Sequence, residues 1–407
     1  MRSTAIRGLL CVSFGFVMLL AACAPQTGTP PASQPAQQQQ AGPLRIGASI
    51  SLTGAYSRTG KELLNGYQLW AEQANVRGGV MGRRVEFVTY DDTSDPETGA
   101  RLFEKLISED KVDLIIGPYS SPVTLAASTV TEKYGYPMIV SGASATDIWT
   151  RGYKNVFGIY TMAPAYMDGA IDIAKRNGYT TVAIMNENSA FAKDTVDGAA
   201  KKAQEAGLQV VFREEYGKDV RDLTPILTRI RALNPDVLIG GTYGEDATLI
   251  VRQLKDLNWT PKLISLSVGP ALPDFAENLG TDADYVMGST QWEPTIKAQG
   301  APEFVAAYRA KYGYEPGYHA GGGFGAAELL AKAIERAGAI DNQRIRDALA
   351  TMDTTTAFGA YKVDANGAQI AKPSYLIQLQ GGQRKLVWPE AAAEASATVP
   401  MPDWSRR

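Results

Sequence analysis

From Leu44 onward, short apolar runs alternate with helix-like segments, and this alternation occurs in two successive sets. The first set has strand-like runs at Leu44–Ile50, Val85–Tyr90, Val112–Ile116 and Met138–Ser141, with helical patterns at Gly60–Asn75, Pro96–Ser108 and Pro122–Tyr134 between and after them. The second has runs at Val182–Met185, Gln209–Tyr216, Val237–Gly240 and Leu263–Leu266, separated by helical patterns at Phe191–Ala206, Leu223–Ala232 and Asp246–Leu257. Strand–helix alternation places helices over both faces of a parallel sheet, because each parallel connection needs a crossover. Two sets predict an α/β protein with two doubly wound parallel-sheet domains. In such sheets ligands sit beyond the carboxyl ends of the strands, where loops enter helices. Those loops are rich in Gly, Ser and Thr: Ser51–Gly60, Gly117–Pro122, Ser141–Thr146, Gly240–Gly244 and Ser265–Pro270. Any one hydroxyl there can be a helix cap. Five such loops together point to a cleft that donates hydrogen bonds to an anionic ligand.

What precedes Leu44 does not extend the alternation. Arg2 and Arg7 open a positive start, and Leu9–Ala22 is a mostly apolar run that ends at Leu20-Ala21-Ala22-Cys23. A membrane span needs about 20 apolar residues, so residues 1–22 read as a signal peptide. The small residues before Cys23 resemble the bacterial lipobox, which implies cleavage before Cys23 and lipidation of its thiol. Cys11 would leave with the signal peptide, so no intramolecular disulfide is expected. The spacer at 23–43 carries Gln37–Gln40 and no charge, and cannot bury enough surface to fold. About 385 residues would remain, enough for a large core and two domains. Without Arg2 and Arg7, 38 basic residues face 43 acidic ones, a net charge near −5 with no long basic block. No nucleic-acid partner is expected. The tail Ala391–Arg407 has weak patterning and is expected to fray.

An ordered series of segments resembles a known family: Ser51-Leu52-Thr53-Gly54, Gly78-Gly79-Val80-Met81-Gly82-Arg83, Tyr90-Asp91-Asp92-Thr93-Ser94-Asp95-Pro96, Ile116-Gly117-Pro118-Tyr119-Ser120-Ser121, Pro137-Met138-Ile139-Val140-Ser141, Arg151-Gly152-Tyr153 and Tyr318–Gly338. Together they are similar to the leucine/isoleucine/valine-type periplasmic binding proteins of ABC importers, from Leu44 to about Trp388. The resemblance implies two α/β domains joined by three hinge crossovers: 44–162 with about 292–357, and 163–291 with about 358–390. It further implies an extracytoplasmic, membrane-anchored receptor, expected to be a monomer. That receptor would close on a small-molecule ligand and present it to ABC permease subunits.

Matched position by position, the resemblance places Ser121 and Ser144 on the family's carboxylate-holding residues, with Gly142 and Ala143 completing a neutral donor cradle. Ser121 is expected to cap a helix that begins at Pro122. The positions where amino-acid binders hold the ammonium correspond here to Ala163, Ser267 and Phe191. A methyl, a hydroxyl and a phenyl ring leave a buried ammonium unpaired, which costs several kcal/mol. The expected ligand is therefore a small carboxylate other than an ordinary α-amino acid. Glu245, and less so Glu187, are the acids that could restore an amine site. Tyr56, Tyr119, Tyr160, Phe191, Tyr243 and Trp292 lie on cleft-facing loops; each alone suits packing, and together they suit a flat, aromatic acid.

Enzymatic chemistry finds little support. His319 is the only histidine, so His/Cys metal spacing cannot occur and no cofactor is expected. His319-Ala320-Gly321-Gly322-Gly323 lacks a companion Gly-x-Ser-x-Gly elbow and reads as a loop entering a helix at Phe324. Asp91-Asp92 cannot be a carboxylate dyad, since adjacent strand residues point to opposite faces. Branched-chain amino acid, amide or urea binding, and a ligand-sensing receptor, stand as the alternative functions.

Overall fold

A computed structural model describes residues 42–407; the expected signal peptide, Cys23 and all but the last two residues of the expected spacer lie outside them. The first lobe opens with β1 (Leu44–Ile50), α1 (Ser57–Val76), β2 (Val85–Asp91), α2 (Pro96–Ser108), β3 (Leu114–Ile116), α3 (Ser121–Tyr134), β4 (Met138–Val140), α4 (Asp147–Thr150) and β5 (Val156–Gly158). All pairings are parallel, in the order β2-β1-β3-β4-β5. The second lobe follows with α5 (Asp168–Arg176), β6 (Thr181–Glu187), α6 (Ala190–Ala206), β7 (Gln209–Tyr216), α7 (Thr224–Leu233), β8 (Val237–Gly241), α8 (Gly244–Asp256), β9 (Leu263–Leu266), α9 (Phe275–Leu279) and β10 (Met287–Thr290). The chain then adds α10 (Ala301–Tyr312), α11 (Tyr318–Ala337), α12 (Asn342–Thr351), β11 (Thr354–Thr356), β12 (Gly359–Tyr361), β13 (Tyr375–Gln380) and β14 (Gln383–Trp388).

Both sheets are buried on both faces by helices, which is why their strands read as continuous apolar runs. The second sheet departs from the all-parallel expectation. Its order is β14-β13-β10-β9-β8-β6-β7, and β13 and β14 pair antiparallel at one edge. A strand that enters from the other lobe and turns back through Gly381-Gly382 needs no crossover helix.

The return to the second lobe also falls later than expected. Phe358 to Gln369 stays with the first lobe: Gly158 N donates to Gly367 O at 2.8 Å, and the Tyr361 hydroxyl donates to Leu349 O at 2.9 Å. The third crossover is at Lys372-Pro373. All three crossovers are tied together through Thr161, whose N–H donates to Gln291 Oε1 (2.8 Å) and whose hydroxyl donates to Lys372 O (2.9 Å).

Two further expectations are corrected. His319–Gly323 is not a loop, because α11 starts at Tyr318. The glycines let α11 lie directly on α1: a Cβ at Gly323 would meet Leu63 O at 2.3 Å, and one at Gly66 would meet Ala320 O at 2.2 Å. The tail does not fray either. Thr398 N donates to Gln378 Oε1 (2.8 Å), Met401 N to Lys262 O (2.8 Å) and Trp404 Nε1 to Trp259 O (3.0 Å), while Met401 is buried. Its backbone finds partners on the second lobe, which weak patterning alone could not reveal.

Candidate functional site

Two strand-to-helix loops of the first lobe are held against each other to form one wall of a cleft. Asp92 is buried at the end of β2 and accepts from Ser49 Oγ (2.9 Å), Ser51 Oγ (2.7 Å) and Ser94 N (2.9 Å), while Asp95 caps α2. The two acids therefore fix the first loop and helix start. From α1, the Tyr67 hydroxyl reaches Gly117 O (2.9 Å) and Ser141 Oγ (2.7 Å), clamping the loops that follow β3 and β4. Ser120 N donates to Gly142 O at 3.0 Å, and Ala163 N to Ser144 O at 2.9 Å, which ties the wall to the first crossover.

The start of α3 differs from expectation by one residue. Ser120 is the cap, with φ +75°, and Ser121 is the first helical residue. A serine in the left-handed region costs on the order of 1–3 kcal/mol and is held only by its surroundings. Ser121 Oγ accepts from Ser144 N and Ala145 N, both at 3.2 Å. A hydroxyl has two acceptor lone pairs and one proton, so both lone pairs are engaged and the O–H is left to donate. Ser144 Oγ sits 3.0 Å from the Tyr166 hydroxyl.

These residues line a narrow cavity of about 10 Å³, room for about one water in this closed arrangement, together with Tyr119, Gly142, Ala143, Tyr160, Tyr166, Phe191, Tyr243, Val268, Tyr318 and His319. That is below the ~300–1,000 Å³ of drug-sized sites. Second-lobe residues enter from the loop or first turn after β6 (Phe191), β8 (Tyr243) and β9 (Val268). Aromatic contacts form a belt around the cavity: Tyr166–Phe191 (5.3 Å between centroids), Phe191–Tyr243 (5.3 Å), Tyr243–Tyr119 (6.4 Å), Tyr119–His319 (5.2 Å), His319–Tyr318 (3.9 Å) and Tyr318–Tyr160 (5.7 Å). No carboxylate or cationic side chain is among the lining residues. Burial pushes the Tyr119, Tyr160, Tyr166, Tyr243 and Tyr318 phenols well above their ordinary value and holds His319 down at about 3, so all are neutral at physiological pH.

Of the residues proposed from sequence, Ser121, Gly142, Ala143, Ser144, Tyr119, Tyr160, Phe191 and Tyr243 lie on this cavity. Three others do not. Ser267 Oγ is engaged with the backbone N and O of Thr242, both at 2.7 Å. Trp292 packs behind α11, on Phe304 at 5.7 Å. Tyr56 stands one layer back: its ring touches Tyr243 (4.5 Å) and its hydroxyl crosses the cleft to Glu187 Oε1 (3.1 Å). Tyr166, Val268, Tyr318 and His319 were missed. Tyr318 and His319 had a signal, since the helix start that carries them was misplaced by the glycine run.

The acids that could restore an amine site lie elsewhere. The Glu245 side chain is 69% exposed and pairs with Arg58 at 3.4 Å. Glu187 is buried behind the Tyr56 hydroxyl; burial and nearby Asp246 raise it to about 7. Arg58 also pairs with Asp274, and Thr146 N donates to Asp194 Oδ2 at 2.5 Å, so ion pairs and hydrogen bonds join the two lobes at the rim. Among the described residues there is no cluster of His, Cys, Asp and Glu suited to a metal, and no helix long and apolar enough to cross a membrane.

A family model described as "Periplasmic binding protein" matches residues 43–384. The Leu/Ile/Val-binding protein homolog 7 of Brucella abortus is 27% identical over 405 residues, covering 95% of this chain and 99% of its own. A leucine binding protein from Thermotoga maritima is 26% identical with a TM-score of 0.79, over 84% of this chain and 97% of its own. A solute binding protein of an ABC transporter from Rhodopseudomonas palustris, solved with benzoate, is 23% identical with a TM-score of 0.77, over 87% and 98%. With the two-lobed fold and the cavity between its strand ends, these likenesses establish that the chain belongs to the periplasmic binding protein family, with relatives of the Leu/Ile/Val-binding type.

Proposed function

We propose that this chain captures a small carboxylate with a flat, apolar body for an ABC importer, and that it does not bind an ordinary α-amino acid tightly. The observation that carries this reading is the Ser121 hydroxyl. With both lone pairs occupied by Ser144 N and Ala145 N, it has only its proton left to offer, and Ser121 lines a cavity that no charged side chain lines. A carboxylate accepts such bonds, each worth about 1.5–3 kcal/mol. An ammonium in the same place would find hydroxyls and rings but no anion, at several kcal/mol. The aromatic belt suits a planar body, each ring pair adding about 0.5–1.5 kcal/mol.

Closure about the tied crossovers would enclose the ligand, with the driving term being its higher affinity for the closed state. The lobes of the family, 44–162 with the middle return and 163–291 with the chain's end, are read here as the moving bodies. Cys23 is proposed as a lipid attachment point; replacing it with serine should release the protein from membranes in a fractionation experiment.

The ligand class is tested by a thermal-shift screen of the mature domain against aromatic acids, keto acids, amides and leucine, isoleucine and valine. A ligand at 100 times its dissociation constant adds about 2.7 kcal/mol of stability. A large shift with leucine or valine and none with aromatic acids overturns the reading. Two relatives are named for leucine or for Leu/Ile/Val, and one neighbour holds benzoate, so both arms are needed.

A further inference from the structure

Two carboxyl groups are buried where the lobes meet, and neither forms an ion pair among the described residues. Glu187, at the end of β6 in the second lobe, is 3% exposed, and Glu62, on α1 in the first, is 8% exposed. Each is covered in part by the opposite lobe. Glu187 Oε1 accepts the Tyr56 hydroxyl across the cleft at 3.1 Å. Glu62 shares a cavity of about 370 Å³ at the cleft mouth with Leu272, Pro273 and Asp274 of the second lobe. Its Oε2 has no hydrogen-bond partner, and a Cβ at Gly317 would meet both that oxygen (2.7 Å) and Pro273 Cδ (3.1 Å).

The charged groups around them do not compensate. Arg58 is committed to Glu245 and Asp274, and Arg384 to Glu293 at 3.0 Å, so the cations nearest Glu62 already hold other acids. The phenols that face it, Tyr160, Tyr308, Tyr314 and Tyr318, are kept protonated by burial. Glu187 faces the phenols of Tyr56, Tyr119, Tyr216 and Tyr243, the Ser189 hydroxyl, and Asp246, with Lys218 near but not in contact. Asp246 is held by its own lobe, through the Tyr216 hydroxyl (2.7 Å) and Tyr243 N (2.8 Å).

An ionised carboxylate taken from water without a cation costs several kcal/mol, and a carboxyl avoids that cost by keeping its proton. Burial accordingly raises Glu187 to about 7, with Asp246 adding to the effect, and raises Glu62 to about 8. When the lobes part, both groups regain water, return toward the ordinary glutamate range and ionise at neutral pH.

We propose that closure of the lobes takes up protons at Glu187 and Glu62, so that falling pH favours the closed, ligand-holding state and rising pH favours opening and release. This rests on the closing motion described above and not on the identity of the ligand. The closed state binds more protons than the open one between about pH 5 and pH 8, so affinity must increase as pH falls through that window, by about one to two protons near pH 7.

The test is calorimetric titration of the mature protein at pH 6, 7 and 8 with benzoate and with leucine, neither of which changes net charge over that range. Whichever binds should bind at least about tenfold tighter at pH 6 than at pH 8. At pH 7 the heat should vary with the ionisation enthalpy of the buffer, as proton uptake requires. Burial also lowers Lys372, at the third crossover, to about 7, so variants are needed to assign the protons. Glu187→Gln and Glu62→Gln keep the shape of the protonated acid. Each should shrink the pH effect by about threefold or more, and the double variant should bind within about threefold at pH 6 and pH 8. Small-angle X-ray scattering of the ligand-free chain is the second readout. Its radius of gyration should be smaller at pH 6 than at pH 8, and independent of pH in the double variant. An affinity and a radius that both ignore pH, or a pH effect that survives the double substitution, overturn this inference and leave the carboxylate reading standing. Binding of leucine alone with the pH effect intact overturns the carboxylate reading and leaves the proton linkage standing.

Discussion

The cavity and the rim of one cleft are built from different chemistry. The cavity is lined by serines, glycine, alanine, valine, tyrosines, phenylalanine and one neutral histidine, all buried. A few residues outward, Arg58 reaches from α1 to Glu245 and Asp274 on the other lobe, with side-chain exposures between 24 and 69%. Exposed ion pairs are worth little, about 0–1 kcal/mol, and can be made and broken as the lobes move. A neutral buried wall gives strong, directional preference for what it encloses, because each unmatched group is left without water. The difference assigns selection to the cavity and leaves the rim a weak closing contact. Between them lie buried acids, Glu187, Asp246 and Glu62, which are raised by loss of water and belong to neither role.

The largest expected effect is at the cradle. Ser121→Ala removes the ligand's donor and strands the N–H groups of Ser144 and Ala145, and should weaken carboxylate binding by at least a hundredfold, about 2.7 kcal/mol, in calorimetric titration. Ser144→Ala, which loses only the hydroxyl facing Tyr166, should cost about tenfold. Unchanged affinity in either would remove that serine from the site and would erase the contrast with the rim.

A middle-sized effect is expected at Glu62, whose Oε2 is buried without a partner. Burial raises this carboxyl to about 8 in the folded state, against an ordinary value near 4.5. The folded protein therefore binds more protons than the unfolded chain between those values, and this contribution to stability is lost as pH rises through about 8. Glu62→Gln should raise the melting temperature by several degrees at pH 8 and change it little at pH 5. An equal shift at both pH values would show that titration is not the cause.

The smallest effect belongs to the rim. Glu245→Gln should change ligand affinity less than threefold, with any loss shrinking further as salt is raised. A loss above tenfold would mean that Glu245 turns inward with ligand, and would restore the amine reading.

How far the sequence reached depended on the range of the interactions involved. Strands such as Leu44–Ile50 and Gln209–Tyr216, and helices such as Pro96–Ser108, fall where apolar periodicity and the Asp-Pro cap place them, since these are local signals. The strand Val156–Gly158 and the hairpin of β13 and β14 were not anticipated, being short or set by distant pairing. Family positions carried Ser121 and Ser144 to the cavity. They also carried Ser267, whose hydroxyl tertiary structure spends on the Thr242 backbone.

By itself, the sequence determined an α/β chain with two sheets, small hydroxyl residues at the strand ends, and a scarcity of groups for catalysis. Those properties follow from patterning and residue chemistry along a short stretch of chain. Only the tertiary structure decided which aromatics line the cavity, that the glycine run of α11 lets it press on α1 and bring Tyr318 and His319 to the cavity, and that Glu245 points outward to Arg58. Each of these depends on side chains brought together from distant parts of the chain, where close packing and burial, not local preference, set direction and charge state.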